Sequence, residues 1–277
     1  MPTIASHLAV AATASSPLLD GMTIIPHILI LGGTGEARQL AQRLAATNRL
    51  RITLSLAGRT EQPLPQAGEV RRGGFGGTEG LADWLAANAV DMMVDATHPF
   101  ARHISGNAEA AARATGVPLV RLERPPWLPV EGDRWIDAAD VAQAAALLGT
   151  EPKTVFLAIG RQELAPFRTF ARHRYIVRSV DPVAAEHRLP GARYILDRGP
   201  FAEGDERALL TAHNVEILVA KNSGGAATYA KIAAARALAL PVVMVRRPHE
   251  KPADAATVDE AVAKILHWAG LPQERGE

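Results

Sequence analysis

Short apolar runs alternate along this chain with longer stretches in which apolar positions recur every three or four residues. The first run, Ile28, Leu29, Ile30 and Leu31, is broken by Gly32-Gly33-Thr34-Gly35, and Ala37, Leu40, Ala41 and Leu44 then mark one face of a helix. The same reading predicts strands over 51–56, 90–94 and 117–122, and helices over 81–88 and 101–115. The second half repeats this grammar, with strands expected over 154–159, 175–180, 193–196, 215–220 and 241–245 and helices over 138–148, 203–212, 226–239 and 258–269. Strands alternating with helices predict an α/β fold of parallel sheets covered on both faces.

Between the halves the texture changes. Glu123-Arg124-Pro125-Pro126-Trp127-Leu128-Pro129 sets three prolines around a tryptophan, which places a domain boundary after residue 124. The expected units are an N-terminal nucleotide-binding domain over 24–124 and a C-terminal substrate domain over 125–277. Residues 1–23 are small, Ala- and Ser-rich and carry no basic segment ahead of their apolar stretch, so they read as a loose tail, or as an upstream start with Met22 the natural one.

Composition narrows the classes. A net charge of +1 gives no global pull toward nucleic acid or an anionic membrane, so anion recognition has to be local. Zero cysteines exclude disulfides, thiolate metal sites and a cysteine nucleophile. No apolar run reaches the roughly 18–20 residues of a membrane span, and a cytoplasmic protein is expected. Its oligomeric state stays open, with a monomer compatible.

Candidate chemistry begins at the glycine turn. Strand, glycines and helix form a phosphate-binding entry: glycine lets the backbone approach a pyrophosphate, and the new helix turns about half a positive charge toward it. Gly32, Gly33, Thr34 and Gly35 are the candidates, although their spacing is not the usual G-x-G-x-x-G. Arg38, one turn on, is within reach of a phosphate. The second strand leads into Ala57-Gly58-Arg59-Thr60, where a dinucleotide fold meets the adenosine ribose. No acid stands there to hold a 2′-hydroxyl, whereas Arg59 suits a 2′-phosphate; one charge-assisted bond of about 1.5–3 kcal/mol would favour NADPH by roughly ten- to a hundredfold. Gly73-Gly74-Phe75-Gly76-Gly77 is a loop free to close over a flat ligand. Asp95-Ala96-Thr97-His98-Pro99 ends a later strand where a nicotinamide ribose is expected, with Thr97 a hydrogen-bonding candidate and His98, titrating near neutrality, a proton carrier.

Cations gather at the strand ends of the second half: Arg161, Arg178, Arg198 ahead of Gly199, Lys221 ahead of Asn222-Ser223-Gly224-Gly225, Arg246 and Arg247. On one shared rim they imply a polyanionic ligand, a polycarboxylate held by forked hydrogen bonds. The Lys221–Gly224 turn opens a second helix suited to an anion, and sequence alone does not separate a substrate site from a second nucleotide site there.

The segments LILGGTGEARQLAQRL, SLAGR, GGFGG, VDATHPFA, RGPF and LVAKNSGGAATYAKIAAARALALPVVMVRRP resemble, in order, those of the precorrin-6A reductase family of cobalamin biosynthesis. The resemblance implies two Rossmann-like domains with the active site in the cleft between them, and NADPH-dependent reduction of the precorrin-6A macrocycle to precorrin-6B. The substrate would be a tetrapyrrole polycarboxylate holding no metal. Carried over by residue, Gly32, Gly33, Thr34, Glu36 and Arg38 are similar to the family's cofactor turn, with Gly35 at a variable position. Arg59 matches the family's 2′-phosphate contact, and Ala96 and Thr97 match cofactor neighbours; Gly58 and Gly76, in the SLAGR and GGFGG segments, are further cofactor-binding candidates. Arg161, Arg198, Gly199 and Lys221 to Gly224 correspond to substrate or cleft residues. His98 as catalytic acid or base is our own reading.

Three rival readings remain. A short-chain-dehydrogenase type needs Tyr-x-x-x-Lys, and none of Tyr175, Tyr194 and Tyr229 has a lysine four residues on. A non-catalytic NADP sensor would leave the cationic strand ends unused. A cobalt-precorrin-6A reductase using NADH is the nearest rival, and Arg59 argues against it.

Overall fold

The computed structural model describes residues 25–58, 64–248 and 252–272. The N-terminal stretch read as a tail, and Arg59, lie outside the described residues.

The first sheet is built around β1 (His27–Leu31), every residue of which is buried. Alternate side chains point to opposite faces of a strand. Ile28 and Ile30 accordingly pack under Leu40, Ala41 and Leu44 of α1 (Gly35–Ala46). Leu29 and Leu31 pack on the other face, against α2 (Gly77–Ala87) and α3 (Arg102–Thr115). With β2 (Arg51–Leu56), β3 (Glu69–Arg72), β4 (Met92–Asp95) and β5 (Leu119–Arg121), the order is β3-β2-β1-β4-β5, and every pair is parallel. Largely exposed, the edge strand β3 has no apolar alternation to announce it. The order reverses between β1 and β4, which opens a crevice at their carboxyl ends.

The second sheet runs β6-β11-β10-β7-β8-β9, again all parallel. Its strands are β6 (Trp135–Ala138), β7 (Thr154–Ala158), β8 (Arg174–Ser179), β9 (Arg193–Leu196), β10 (Ile217–Lys221) and β11 (Val242–Val245). One face is covered by α4 (Val141–Ala146), the other by α5 (Glu203–Ala212) and α6 (Ala230–Ala237). The helix expected from residue 138 begins later, because Trp135–Ala138 pairs with β11 and Asp140 caps α4 by accepting from the Gln143 amide at 2.8 Å. Here the order reverses between β7 and β10.

The chain crosses between the units twice. After β11 it returns to the first sheet, where Ala255 bridges Leu122 in parallel and accepts from the Glu123 amide at 3.0 Å. The final helix, α7 (Val258–Trp268), then packs Ala261, Val262, Ile265 and Leu266 into the core shared with α1. A split after residue 124 assigns this helix to the second unit, whereas its buried face belongs to the first. Among the described residues no helix is long and apolar enough to cross a membrane.

Candidate active site

The crevice of the first sheet is organised by Thr34. Its hydroxyl caps α1 by accepting from the Ala37 amide at 3.1 Å and donates to the Ala96 carbonyl at 2.8 Å, tying the glycine turn to the loop after β4. Gly33 holds φ +113°, and a Cβ there would meet nothing within 4 Å, so the turn presents open backbone beside first-turn amides that have no intrahelical acceptor. Gly35 starts α1 with the same open surroundings, and Arg38 sits half-buried within it. Thr97 is less available than its sequence position suggests: hydroxyl and amide both donate to Asp95 Oδ1, at 2.6 and 3.1 Å. It retains only acceptor capacity for a ligand.

Gly58, at φ +72°, lies beside Gly73, whose amide donates to the Leu56 carbonyl at 2.9 Å, so the ends of β2 and β3 share one edge. Gly76 takes a left-handed conformation at the start of α2. Arg71, which sequence reading passed over, shapes this loop by donating to the carbonyls of Gly73 and Gly74 at 2.6 and 2.7 Å and stacking on Phe75 at 3.7 Å. Phe75 is held between Arg71 and an edge-on Trp84, so it serves the loop's own packing.

His98 differs from expectation. Burial, then the nearby charges of Lys221, Arg124, Arg247 and Lys231, push its pKa down to about 3. Its Nδ1 accepts the Phe100 amide at 3.3 Å, so the neutral ring carries its proton on Nε2. At neutral pH it is a hydrogen-bond donor with no surplus proton, which corrects the reading of His98 as a residue titrating near 7.

At the second crevice most of the supposed rim is internally engaged. Arg178 is buried and paired with Glu206, with one bond at 3.1 Å, and stacks 3.8 Å from the Phe201 ring centroid. The Arg247 fork holds the polypeptide itself, donating to the carbonyls of Asn222, Ser223, Arg124 and Pro125 and to Glu123. Neither belongs to an open cationic rim, and that part of the expectation is corrected. Both ends of the Asn222 amide close on the Trp127 backbone, at 2.8 and 2.9 Å. Gly224 is required for closeness, since a Cβ would fall 2.1 Å from the Pro125 carbonyl oxygen. Ser223 lends its carbonyl to Arg124 and Arg247, while its hydroxyl faces Thr228 at 3.5 Å. Lys221 pairs with Glu163 at 2.6 Å, and Arg161 donates to the Pro182 carbonyl at 2.9 Å. Arg198 and Arg246 are exposed, and Gly199 is packed against Phe201 and the Ala227 carbonyl. Buried Lys231, not singled out in the sequence, donates to the Thr228 carbonyl, and burial with Arg178 nearby lowers its pKa to about 7.

The two crevices meet. Lys221 Nζ lies 4.5 Å from the centroid of Phe100, which packs against the second core although it follows His98 in the loop after β4. Arg124 joins Glu36, at 2.7 Å, to the carbonyls of Ser223 and Gly224. This architecture is that of a two-domain, Rossmann-like α/β protein whose switch-point loops face one another. The chain belongs to the precorrin-6x reductase family, CbiJ/CobK, whose model matches residues 27–266. It is 53% identical to a precorrin-6A reductase of Sinorhizobium sp over 88% of this chain and 94% of that one, and 49% identical to one of Rhodococcus erythropolis over 90% and 99%. A cobalt-precorrin-6A reductase of Priestia megaterium is 28% identical over 87% and 96%. The solved structure described as CobK precorrin-6A reductase superposes with a TM-score of 0.82 at 43% identity, covering 90% of this chain and 99% of that one. The family is one of reductases in cobalamin biosynthesis, and the cobalt alternative is not favoured.

Proposed function

We propose that this protein reduces precorrin-6A to precorrin-6B with hydride from NADPH bound at the first crevice, the macrocycle lying against the second. The observation that carries the reading is the Thr34 bridge, which sets an open glycine backbone, a helix N-terminus and the Ala96-Thr97 strand end around one point facing the second domain. Those residues suit a dinucleotide: Gly32 to Gly35 with the first amides of α1 for the diphosphate, Gly58 and Arg59 for the adenosine end, and Gly76 in the adjoining loop. Arg38 adds a cation near the same turn. No acidic side chain stands in Ser55-Leu56-Ala57-Gly58 to favour a free 2′-hydroxyl.

When bound, the reduced nicotinamide supplies the hydride, and a proton completes reduction of one ring double bond. The protein contributes orientation, holding reacting atoms about 3–3.5 Å apart in a cleft that excludes water. Ala96 and Thr97 would border the nicotinamide ribose, and neutral His98 would offer Nε2–H to orient a carbonyl or carboxylate. Arg161, Arg198 and Lys221 face the substrate's carboxylates, while Gly199 and the Asn222-Ser223-Gly224 turn give the wall its shape. The test is steady-state reduction of metal-free precorrin-6A with NADPH and with NADH. NADPH should be preferred by about tenfold or more, and Arg59→Ala should remove that preference by weakening NADPH alone. Equal losses for both cofactors would show that Arg59 does not read the 2′-phosphate.

A further inference from the structure

Arg124 falls in the stretch that sequence reading treated only as a boundary, yet it joins the two crevices by hydrogen bonds to both. Its Nη1 donates to Glu36 Oε2 at 2.7 Å, and its Nε donates to the carbonyls of Ser223 at 2.7 Å and Gly224 at 3.1 Å. One edge of the guanidinium is therefore anchored on the second domain and the other rests on the cofactor turn. The space is made by Gly225, at φ +74°, where a Cβ would lie 2.7 Å from Arg124 Cδ and 3.5 Å from Glu36 Oε1. Arg124 lines two adjoining spaces: the narrow crevice of Thr34, Ala96 and Thr97, and a groove of about 480 Å³ that it shares with Asn222 and Arg246.

Glu36 lies in the first turn of α1, so its carboxylate already occupies the positive pole to which a diphosphate would be drawn. Two anions then meet at the half-buried Arg124, and the carboxylate and the diphosphate compete for it. We propose that Arg124 is a cofactor ligand held in reserve by Glu36: a dinucleotide diphosphate entering at the start of α1 takes the Nη edge, while the Nε edge keeps its hold on the Ser223-Gly224 turn. The exchange releases Glu36 while Arg124 stays fastened to the substrate-side turn, so the residue that meets the diphosphate is positioned by the second domain. The inference rests on the cofactor assignment above and adds to it a residue and a sign.

The sign is the test. NADPH is titrated calorimetrically, without tetrapyrrole, into the full-length wild type, Glu36→Gln, Arg124→Met and the double variant. Glu36→Gln removes a competitor and should tighten NADPH binding by roughly three- to tenfold, whereas Arg124→Met should weaken it by about tenfold or more. The double variant should fall short of the sum of the two effects, because the part of the Glu36→Gln gain that frees the arginine needs an arginine to free, and only relief of direct repulsion between carboxylate and diphosphate is left. If Glu36→Gln weakens binding, the carboxylate itself holds the cofactor and the inference is overturned; simple additivity of the two effects overturns it as well. Glu36→Gln keeps the anchored edge of Arg124 intact, so its result stands even if Arg124→Met folds poorly. Wild-type binding with both variants unchanged overturns this inference alone. Absence of heat from the wild type overturns the cofactor assignment and this inference with it.

Discussion

The two switch-point crevices are built alike and work differently. In the first, between β1 and β4, the mouth is mostly main chain: Gly33 in open space and the first-turn amides of α1, with the buried Ala96 strand end secured beneath them by Thr34. In the second, between β7 and β10, polar side chains are abundant, but many serve the fold: Asn222 clamps Trp127, Arg247 binds carbonyls of the linker and its own turn, and Arg178 is buried on Glu206. A glycine-rich site advertises its ligand through missing side chains, whereas a charge-rich site has to be sorted by partner. Cations at successive strand ends therefore count the anions of the fold before those of a substrate.

The contrast is sharpest between two glycines. Gly224→Ala drives a Cβ into the Pro125 carbonyl at 2.1 Å, from a left-handed backbone, with main chain on both sides of the clash. A loss of more than about 4–5 kcal/mol is expected, seen as failure to accumulate folded protein or a collapse of the urea midpoint. Gly33→Ala meets no atom, so its effect on stability should be only backbone strain of about 1–2 kcal/mol. Equal losses at the two positions would end the distinction between a glycine kept for ligand approach and one kept for the fold.

Glu206→Ala comes next. Removing the carboxylate leaves Arg178 buried without its ionic partner, a change that typically costs about 3–5 kcal/mol. If instead stability held while the Michaelis constant for the tetrapyrrole fell, Arg178 would rank among substrate contacts and the second crevice would regain the cationic rim expected of it.

These cases show which features a sequence can carry. The unbroken burial of Ile28 to Leu31, the glycine turn and the α1 face of Leu40, Ala41 and Leu44 are written in neighbours within twenty residues, and each was legible. Asn222 meets Trp127 across 95 positions and Arg124 meets Ser223 across 99, so no local pattern distinguishes them from ligand-binding side chains. The return of α7 to the first domain was hidden for the same reason, since its amphipathic spacing fits a helix on either sheet. One local signal was available: prolines flanking Trp127 marked a stretch held by side chains rather than by sheet pairing, and the residues fastening it were to be sought among the polar groups at nearby strand ends.

His98 gives the smallest effect and links the two crevices. It belongs to the first, while the charges acting on it after burial are those of Lys221, Arg124, Arg247 and Lys231 from the linker and second domain. Its folded pKa, about 3, lies below the usual 6.5, so between those values the unfolded chain binds the extra proton. Stability contributed by the neutral ring is therefore complete above pH 6.5 and is lost as pH falls toward 3, with a slope no steeper than about 1.4 kcal/mol per pH unit for one proton. His98→Gln keeps a polar side chain and removes this titration, so the difference in urea stability between variant and wild type should shrink steadily from pH 7 to pH 5. Lys221→Met, which removes the first of the neighbouring charges, should raise the folded pKa of His98, so that the loss of stability on acidification ends at a higher pH than in the wild type. A Lys221→Met profile that parallels the wild type's down to pH 3 would mean that this charge of the second crevice does not reach across to His98, whose shift would then come from burial.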